Sequence, residues 1–110
     1  MSEWTKICDH TSLINNTGIC AKFNDQQVAI FYCQRSENVY AVSNFDPIGK
    51  AQVMSRGIMG STKGETYVAS PLYKQRYNLS TGVCLDDASQ TLTTFDVRIA
   101  DNEVQLKQAR

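Results

Sequence analysis

Asn44-Phe45-Asp46-Pro47-Ile48-Gly49 and Ala69-Ser70-Pro71-Leu72-Tyr73-Lys74-Gln75-Arg76-Tyr77-Asn78-Leu79-Ser80-Thr81-Gly82 hold the only two prolines of a 110-residue chain. Proline fixes φ and removes a backbone donor, so each box marks a loop rather than the middle of a strand. Strand signals surround both. Val28-Ala29-Ile30-Phe31-Tyr32-Cys33 is a nearly unbroken apolar run, the pattern of a strand covered on both faces. The turn-like Arg35-Ser36-Glu37-Asn38 then leads into Val39-Tyr40-Ala41-Val42, which predicts a hairpin. Tyr67-Val68-Ala69 and Arg76-Tyr77-Asn78-Leu79 are short strands flanking the second box. Near the end, Phe95, Val97 and Ile99 alternate with polar residues, Ala100-Asp101-Asn102-Glu103 forms a tight turn, and Val104 and Leu106 resume the alternation. No window keeps a 3.6-residue apolar repeat over three turns. The best helical candidate is one short turn around Asp9–Leu13, with Asp9 or Thr11 as its cap. The chain is therefore expected to be all-β, a sandwich or small barrel, with residues 1–110 forming one domain and Gln108-Ala109-Arg110 fraying at its end.

The two boxes resemble the cluster loops of Rieske domains, whose patterns are C-P-H-x-G and C-P-x-H-G-x-x-F-[DN]-x-x-T-G. The resemblance implies an antiparallel β-sandwich with a small inserted lobe, here residues 44–81, made by the two former cluster loops. On those patterns Asp46 and Ile48 stand at the first Cys and His positions, and Ser70 and Tyr73 at the second pair. The prolines, Tyr77, Asn78 and the Thr81-Gly82 turn are kept. A Rieske [2Fe–2S] centre takes two Cys on one iron and two His on the other. The chain has a single histidine, His10, so no Rieske metal site is expected in it.

Four segments narrow the resemblance: Gln27-Val28-Ala29-Ile30-Phe31, Tyr40-Ala41-Val42-Ser43-Asn44, Met54-Ser55-Arg56-Gly57 and Val68-Ala69-Ser70-Pro71-Leu72-Tyr73-Lys74-Gln75-Arg76. They are similar to the small-subunit family of the bacterial cytoplasmic NAD(P)H-dependent nitrite reductases. That resemblance implies a large-subunit partner holding FAD, a [4Fe–4S] cluster and sirohaem, and reducing nitrite to ammonium. The small subunit would carry no cofactor, support nitrate assimilation and reside in the cytoplasm. The chain itself has no G-x-G-x-x-G, no P-loop and no cysteine quartet, so it is expected to act by binding rather than by catalysis. Two other readings stand beside this one: a cluster-less adaptor or regulatory subunit of another oxidoreductase, and a free-standing electron carrier with an iron site built from cysteines.

Composition narrows the partners. Eleven basic and eleven acidic residues cancel, which argues against nucleic acid and anionic membrane surfaces. The start Met1-Ser2-Glu3-Trp4-Thr5-Lys6-Ile7-Cys8 lacks the basic and apolar regions of a signal peptide. Cys8, Cys20, Cys33 and Cys84 include no C-x-x-C pair and are expected to be reduced, buried structural thiols. Cys8-Asp9-His10 has C-x-H spacing but no answering half, so His10 is expected to be a turn or surface residue.

Candidate partner-interface residues are Ile48, Tyr73, Lys74, Arg76 and Arg56. Ile48 and Tyr73 replace the histidines at the tip of the lobe. Either they form an apolar docking anchor or they turn inward to fill the space a cluster would take. Lys74, Arg76 and Arg56 would rim such an interface or simply be solvated charge. Asp46 has two possible uses: a cross-brace accepting N–H groups of the opposite loop, or an Asx turn before Pro47. Trp4 is expected to pack the first strand onto the sheet, and Tyr40, Tyr67 and Tyr77 to be core or sheet-face residues.

Overall fold

A computed structural model describes residues 4–107; the tail 108–110 lies outside them. Six strands form one antiparallel sheet in the order β1-β11-β10-β4-β3-β2. They are β1 (Thr5–Asp9), β2 (Thr17–Phe23), β3 (Gln26–Cys33), β4 (Asn38–Ser43), β10 (Thr94–Ala100) and β11 (Glu103–Lys107). The sheet rolls until its end strands β1 and β2 approach each other, giving a nearly closed barrel. Between β4 and β10 the chain makes two further small sheets. β5 (Phe45–Asp46) pairs with β6 (Ala51–Gln52), and β7 (Ile58–Thr62), β8 (Glu65–Ala69) and β9 (Arg76–Asn78) form a three-stranded antiparallel sheet.

The apolar run of β3 explains how these parts join. Val28 and Ile30 point into the barrel with Phe23, Ala41, Phe95, Val104 and Leu106. Ala29 and Phe31, on the other face, pack with Val42, Met54, Val68, Tyr77, Leu79, Cys84 and Leu92 beneath the small sheets. β3 is thus covered on both sides, which is why its sequence does not alternate. The Phe23 and Phe95 rings meet edge to face inside the barrel, centroids 6.0 Å apart.

The turns follow their chemistry. Asp101 and Asn102 have φ of 54° and 64°, and Asn24 and Asp25 have 51° and 64°. Two consecutive left-handed residues give the primed turn whose twist matches a hairpin, and Asn and Asp tolerate that conformation best after glycine. β2 is weakly patterned, its exposed and half-buried residues not alternating regularly.

Three expectations are corrected. Ile99 shares the inward face of β10 but is 40% exposed. β10 pairs with β4 only at Thr94 and Phe95 and beyond that with β11 alone, so Ile99 lies past the covered part of the sheet. The turn after β1 is a 3-10 helix, His10–Ser12, without a side-chain cap; the Asp9 carboxylate lies 3.5 Å from Lys6 Nζ instead. The cysteines are not uniformly buried. Cys84 is buried, Cys8 and Cys33 are half-buried, and Cys20 is exposed on end strand β2.

The thiols therefore differ in reactivity. Hydrogen bonds from the Ser36 side chain and backbone lower the Cys33 pKa, whereas burial raises that of Cys8. The thiolate is the nucleophile, so iodoacetamide near neutral pH is expected to label Cys33 and exposed Cys20 before Cys8 and Cys84. Mass spectrometry of timed digests reads this order directly.

One glycine is required by position. Gly82, in the Thr81-Gly82 turn, has φ +81°, and a Cβ there would collide with the Leu92 carbonyl oxygen. Its N–H donates to Asn78 O and its carbonyl accepts from Leu92 N, both at 2.7 Å. Left-handed strain alone costs a non-glycine residue about 1–2 kcal/mol. Gly82→Ala is expected to lose about 2 kcal/mol in urea denaturation, and an unchanged midpoint would refute the steric argument.

Candidate functional site

The two proline boxes meet at one end of the molecule. After β4, Asn44 anchors the first box. Buried Asn44 donates through its backbone to Gln27 O and accepts Met54 N–H on its carbonyl, both at 3.0 Å. Its side-chain oxygen accepts Ser55 N–H at 2.6 Å, and its side-chain nitrogen donates to Gln27 Oε1 at 3.0 Å. One asparagine thereby ties β3, the first box and the 3-10 turn Met54–Arg56 together. Nothing in its local sequence signals that role, because its partners lie 11 and 17 residues away.

Asp46 is fully buried between the loops, and both uses weighed for it are realised in the same carboxylate. Oδ1 accepts the N–H groups of Ile48 at 2.9 Å and Gly49 at 3.0 Å, which is the Asx turn around Pro47. The same oxygen accepts Gln75 Nε2 at 3.1 Å, while Oδ2 accepts the Ser70 hydroxyl at 2.5 Å. The cross-brace reaches side chains of the second box rather than the backbone N–H groups expected of it. Those amides are engaged locally: Leu72 N–H donates to Ser70 Oγ and Lys74 N–H to Ser70 O. Gln75 continues the network towards the buried Tyr77, with Nε2 3.4 Å from its hydroxyl. Because the Gln75 amide must turn its nitrogen to the carboxylate, its oxygen is left as a buried side-chain atom without a partner among the described residues. Burial raises the Tyr77 pKa, so its phenol stays protonated.

Over this knot the loop tips touch. A Cβ on Gly49 would lie 2.5 Å from Leu72 Cδ1 and 2.9 Å from Asp46 Oδ2, so any larger residue would push Leu72 aside and press on the carboxylate. Ile48 and Tyr73 do not fill the space between the loops; they point outward, 38% and 67% exposed. Phe45, Leu72 and Ile58 are exposed as well, so five of the seven large exposed apolar residues among those described belong to this lobe.

The charges around the tip divide into paired and unpaired. Arg76 is held by Asp86 through Nη2 at 2.9 Å and lies over the Tyr67 ring, 5.5 Å from its centroid. Its hydrogen bonds keep the Asp86 carboxyl below the usual range, so the tether is present at neutral pH and lost as pH falls through that lowered value. Arg56 and Lys74 are exposed and form no ion pair among the described residues. Lys50 and Lys74, at the glycine positions of the two patterns, hold φ of 60° and 65°.

His10 is a turn residue, as expected. His10 Nδ1 lies 3.1 Å from Asn102 O in the turn after β1. Trp4, half-buried, lies beneath the cations of Arg98 and Lys107, 4.3 and 4.8 Å from its ring centroid.

The four ligand positions do not fit a Rieske [2Fe–2S] cluster. They offer neither sulfur nor imidazole, the donors such a centre takes. The two oxygen-bearing side chains, Asp46 and Ser70, are bonded to each other and to neighbouring groups within the space between the loops. Among the described residues no three His, Cys, Asp or Glu side chains gather into a metal site.

A rolled antiparallel barrel capped by two proline-anchored loops is the architecture of Rieske domains, and the chain belongs to that family: the Rieske-like [2Fe-2S] domain matches residues 3–107. Within it the chain falls among the nitrite reductase small subunits. It is 43% identical over 107 residues to the nitrite reductase (NADH) small subunit of Escherichia coli strain K12, covering 97% of this chain and 99% of that one. The NMR structure of Escherichia coli NirD superimposes with a TM-score of 0.90 at 42% identity over all of both chains. The nitrite reductase [NAD(P)H] large subunit of Klebsiella oxytoca is 37% identical over 101 residues, which are 92% of this chain but only 10% of that protein.

Proposed function

We propose that this chain, as one Rieske-like domain of residues 1–110, is the non-catalytic small subunit of a cytoplasmic NAD(P)H-dependent nitrite reductase. It supports a large subunit that holds FAD, a [4Fe–4S] cluster and sirohaem and reduces nitrite to ammonium. The observation that carries this reading is the near full-length identity to a nitrite reductase small subunit, joined to a pocket whose electron-carrying ligands are replaced by a hydrogen-bonded knot. Six-electron reduction needs cofactors that move electrons one or two at a time, and the donor set between these loops does not supply one. Binding remains. The stretch shared with the Klebsiella oxytoca large subunit supports a large-subunit partner, because a relative carries this domain within that very chain.

The interface of this proposal is the lobe tip, with Ile48 and Tyr73 as apolar anchors and Lys74, Arg56 and Arg76 around them. Arg76 is the least available of these, since Asp86 already holds it. Among the described residues no helix is long and apolar enough to cross a membrane, which is compatible with a cytoplasmic enzyme.

Tagged chain purified from nitrite-grown cells tests the proposal. Co-purification of a large protein with sirohaem and flavin absorbance is expected. A partner lacking both would favour the adaptor role in another oxidoreductase, and a brown isolated chain with stoichiometric iron and sulfide would restore the electron-carrier reading.

A further inference from the structure

The register of the small sheet builds a surface that the barrel does not cover. Met59 pairs with Val68, and Val68 with Tyr77, and these three point inward to the core. The alternate residues Ile58, Ala69 and Tyr67 therefore face outward. Ile58 is 72% exposed, more than any other large apolar residue among those described. Together with Arg56, Pro71 and Lys74 these side chains line a crevice of about 270 Å³.

Among the described residues the unpaired charge lining that crevice, Arg56 and Lys74, is positive, while Arg76 over Tyr67 is held by Asp86. Residues 44–81 hold five basic side chains, Lys50, Arg56, Lys63, Lys74 and Arg76, against two acidic ones, Asp46 and Glu65. Asp46 is buried in the knot and Glu65 accepts Asn78 Nδ2. The chain as a whole is neutral, so the excess is local to the lobe. All three lysines of the lobe hold left-handed backbone angles, Lys63 with φ of 50° in the turn between β7 and β8. Lys50 and Lys74 hold φ of 60° and 65°, a backbone region that glycine enters freely and long side chains seldom adopt. At Lys50 and Lys74 that conformation closes each loop, their N–H groups donating to Asp46 O at 2.7 Å and Ser70 O at 3.0 Å, and glycine holds the same course without strain.

We infer that Arg56 and Lys74 at the lip of the crevice, with Lys50 on the neighbouring loop that meets the second box at Gly49 and Leu72, present positive charge that seats an acidic segment of the nitrite reductase large subunit, with an apolar side chain of that segment entering the Ile58–Tyr67–Pro71 crevice. This inference rests on the subunit role proposed above and names the chemistry of the surface that would meet it. Opposite charge at a rim speeds and orients encounter, and an apolar centre slows dissociation.

Lys50→Gly/Lys74→Gly tests the rim without endangering the fold, because glycine relieves the left-handed strain. Binding of full-length chain to purified holo large subunit is measured by interferometry at low and high salt. The double variant is expected to melt at or above the wild-type temperature yet bind ~10–30-fold more weakly at low salt, mostly through a slower association rate, with the gap closing at high salt. Ile58→Ser is expected to raise the dissociation rate ~10-fold. Lys22→Glu, on barrel strand β2, serves as the control and should bind as wild type. Hydrogen exchange of the wild-type complex should show protection at residues 56–60 and 71–74.

Wild-type affinity in both the glycine and the Ile58 variants, with Ile48→Ser/Tyr73→Ala still defective, would overturn the crevice and leave the subunit role standing. Failure of the wild-type chain to bind the large subunit at all overturns the subunit role itself. Self-association of the isolated chain that Ile58→Ser abolishes would assign the crevice to a second copy and overturn the assignment to the large subunit.

Discussion

Asp46→Ala is expected to destabilise the domain by about 3–5 kcal/mol, the range seen when one partner of a buried charged network is removed. Four donors converge on this carboxylate: Ile48 N–H, Gly49 N–H, the Ser70 hydroxyl and Gln75 Nε2. Alanine leaves them in a site closed to water, and each buried donor without an acceptor costs about 1–3 kcal/mol. The cavity relaxes only in part, because Leu72 already rests on Gly49 and Tyr77 closes the base. For a domain of this size the loss corresponds to a fall in Tm of roughly 12–20 °C, at about 4 °C per kcal/mol. Asp46→Asn separates hydrogen bonding from charge. Its oxygen can still receive the two backbone N–H groups, and the Ser70 hydroxyl can rotate to accept from the new amide nitrogen. The asparagine variant should therefore lose about 1–2 kcal/mol, less than alanine, since hydrogen bonds to a charged acceptor exceed neutral ones by about that much. Urea denaturation followed by tryptophan fluorescence and amide circular dichroism measures both. An alanine variant within 1 kcal/mol of wild type would show that the loops are held by something other than this carboxylate.

The same residue shows where sequence reasoning reaches its limit. A local pattern can announce the Asx turn, because Asp before Pro caps the N–H groups two and three positions on. It cannot announce Ser70 and Gln75, which lie 24 and 29 residues further along the chain. Only the fold brings the boxes together, and neither serine nor glutamine carries a distinctive signal in a loop. The role of Asn44 is illegible for the same reason, its partners lying 11 and 17 residues away. The strands were legible in proportion to their burial: β3 and β11 present clear apolar patterns because every inward position is filled. β2 and β7 were harder to discern, one being exposed along much of its length and the other mixing Ile58 outside with Met59 inside. The lobe was legible through its prolines and turn residues, which persist because the loops keep their backbone course even where Lys50 and Lys74 must take left-handed angles.

The knot leaves the outer surface unexplained. On the Rieske patterns that the two boxes resemble, Asp46 and Ser70 stand at the Cys positions and are buried polar groups that satisfy each other. Ile48 and Tyr73 stand at the His positions, have no polar group to satisfy and are 38% and 67% exposed. Stability explains the polar pair and does not explain the apolar one. Polar side chains at Ile48 and Tyr73 would serve the isolated domain as well, and exposed apolar clusters on a folded monomer generally mark a contact.

Ile48→Ser/Tyr73→Ala is accordingly expected to weaken assembly with the large subunit by ~100-fold or more, about 2.7 kcal/mol, with the isolated domain unharmed. Tyrosine supplies large, rigid contact area at small entropic cost, and central aromatic anchors commonly account for 2 kcal/mol or more each. Neither side chain takes part in the knot: Ile48 contributes only its backbone N–H to Asp46, and no hydrogen bond of Tyr73 is found among the described contacts. The double variant should thus retain the wild-type urea midpoint, in contrast to Asp46→Ala, and its defect should lie in the dissociation rate. Titration of variant against holo large subunit by interferometry, with nitrite-dependent NADH oxidation of the mixture as a second readout, separates loss of docking from loss of fold. If the variant unfolds at lower urea and binds normally once corrected for its folded fraction, Ile48 and Tyr73 support the loops rather than the complex. If it keeps both stability and affinity, the large subunit meets this domain on another face, and the apolar tip has no part in assembly.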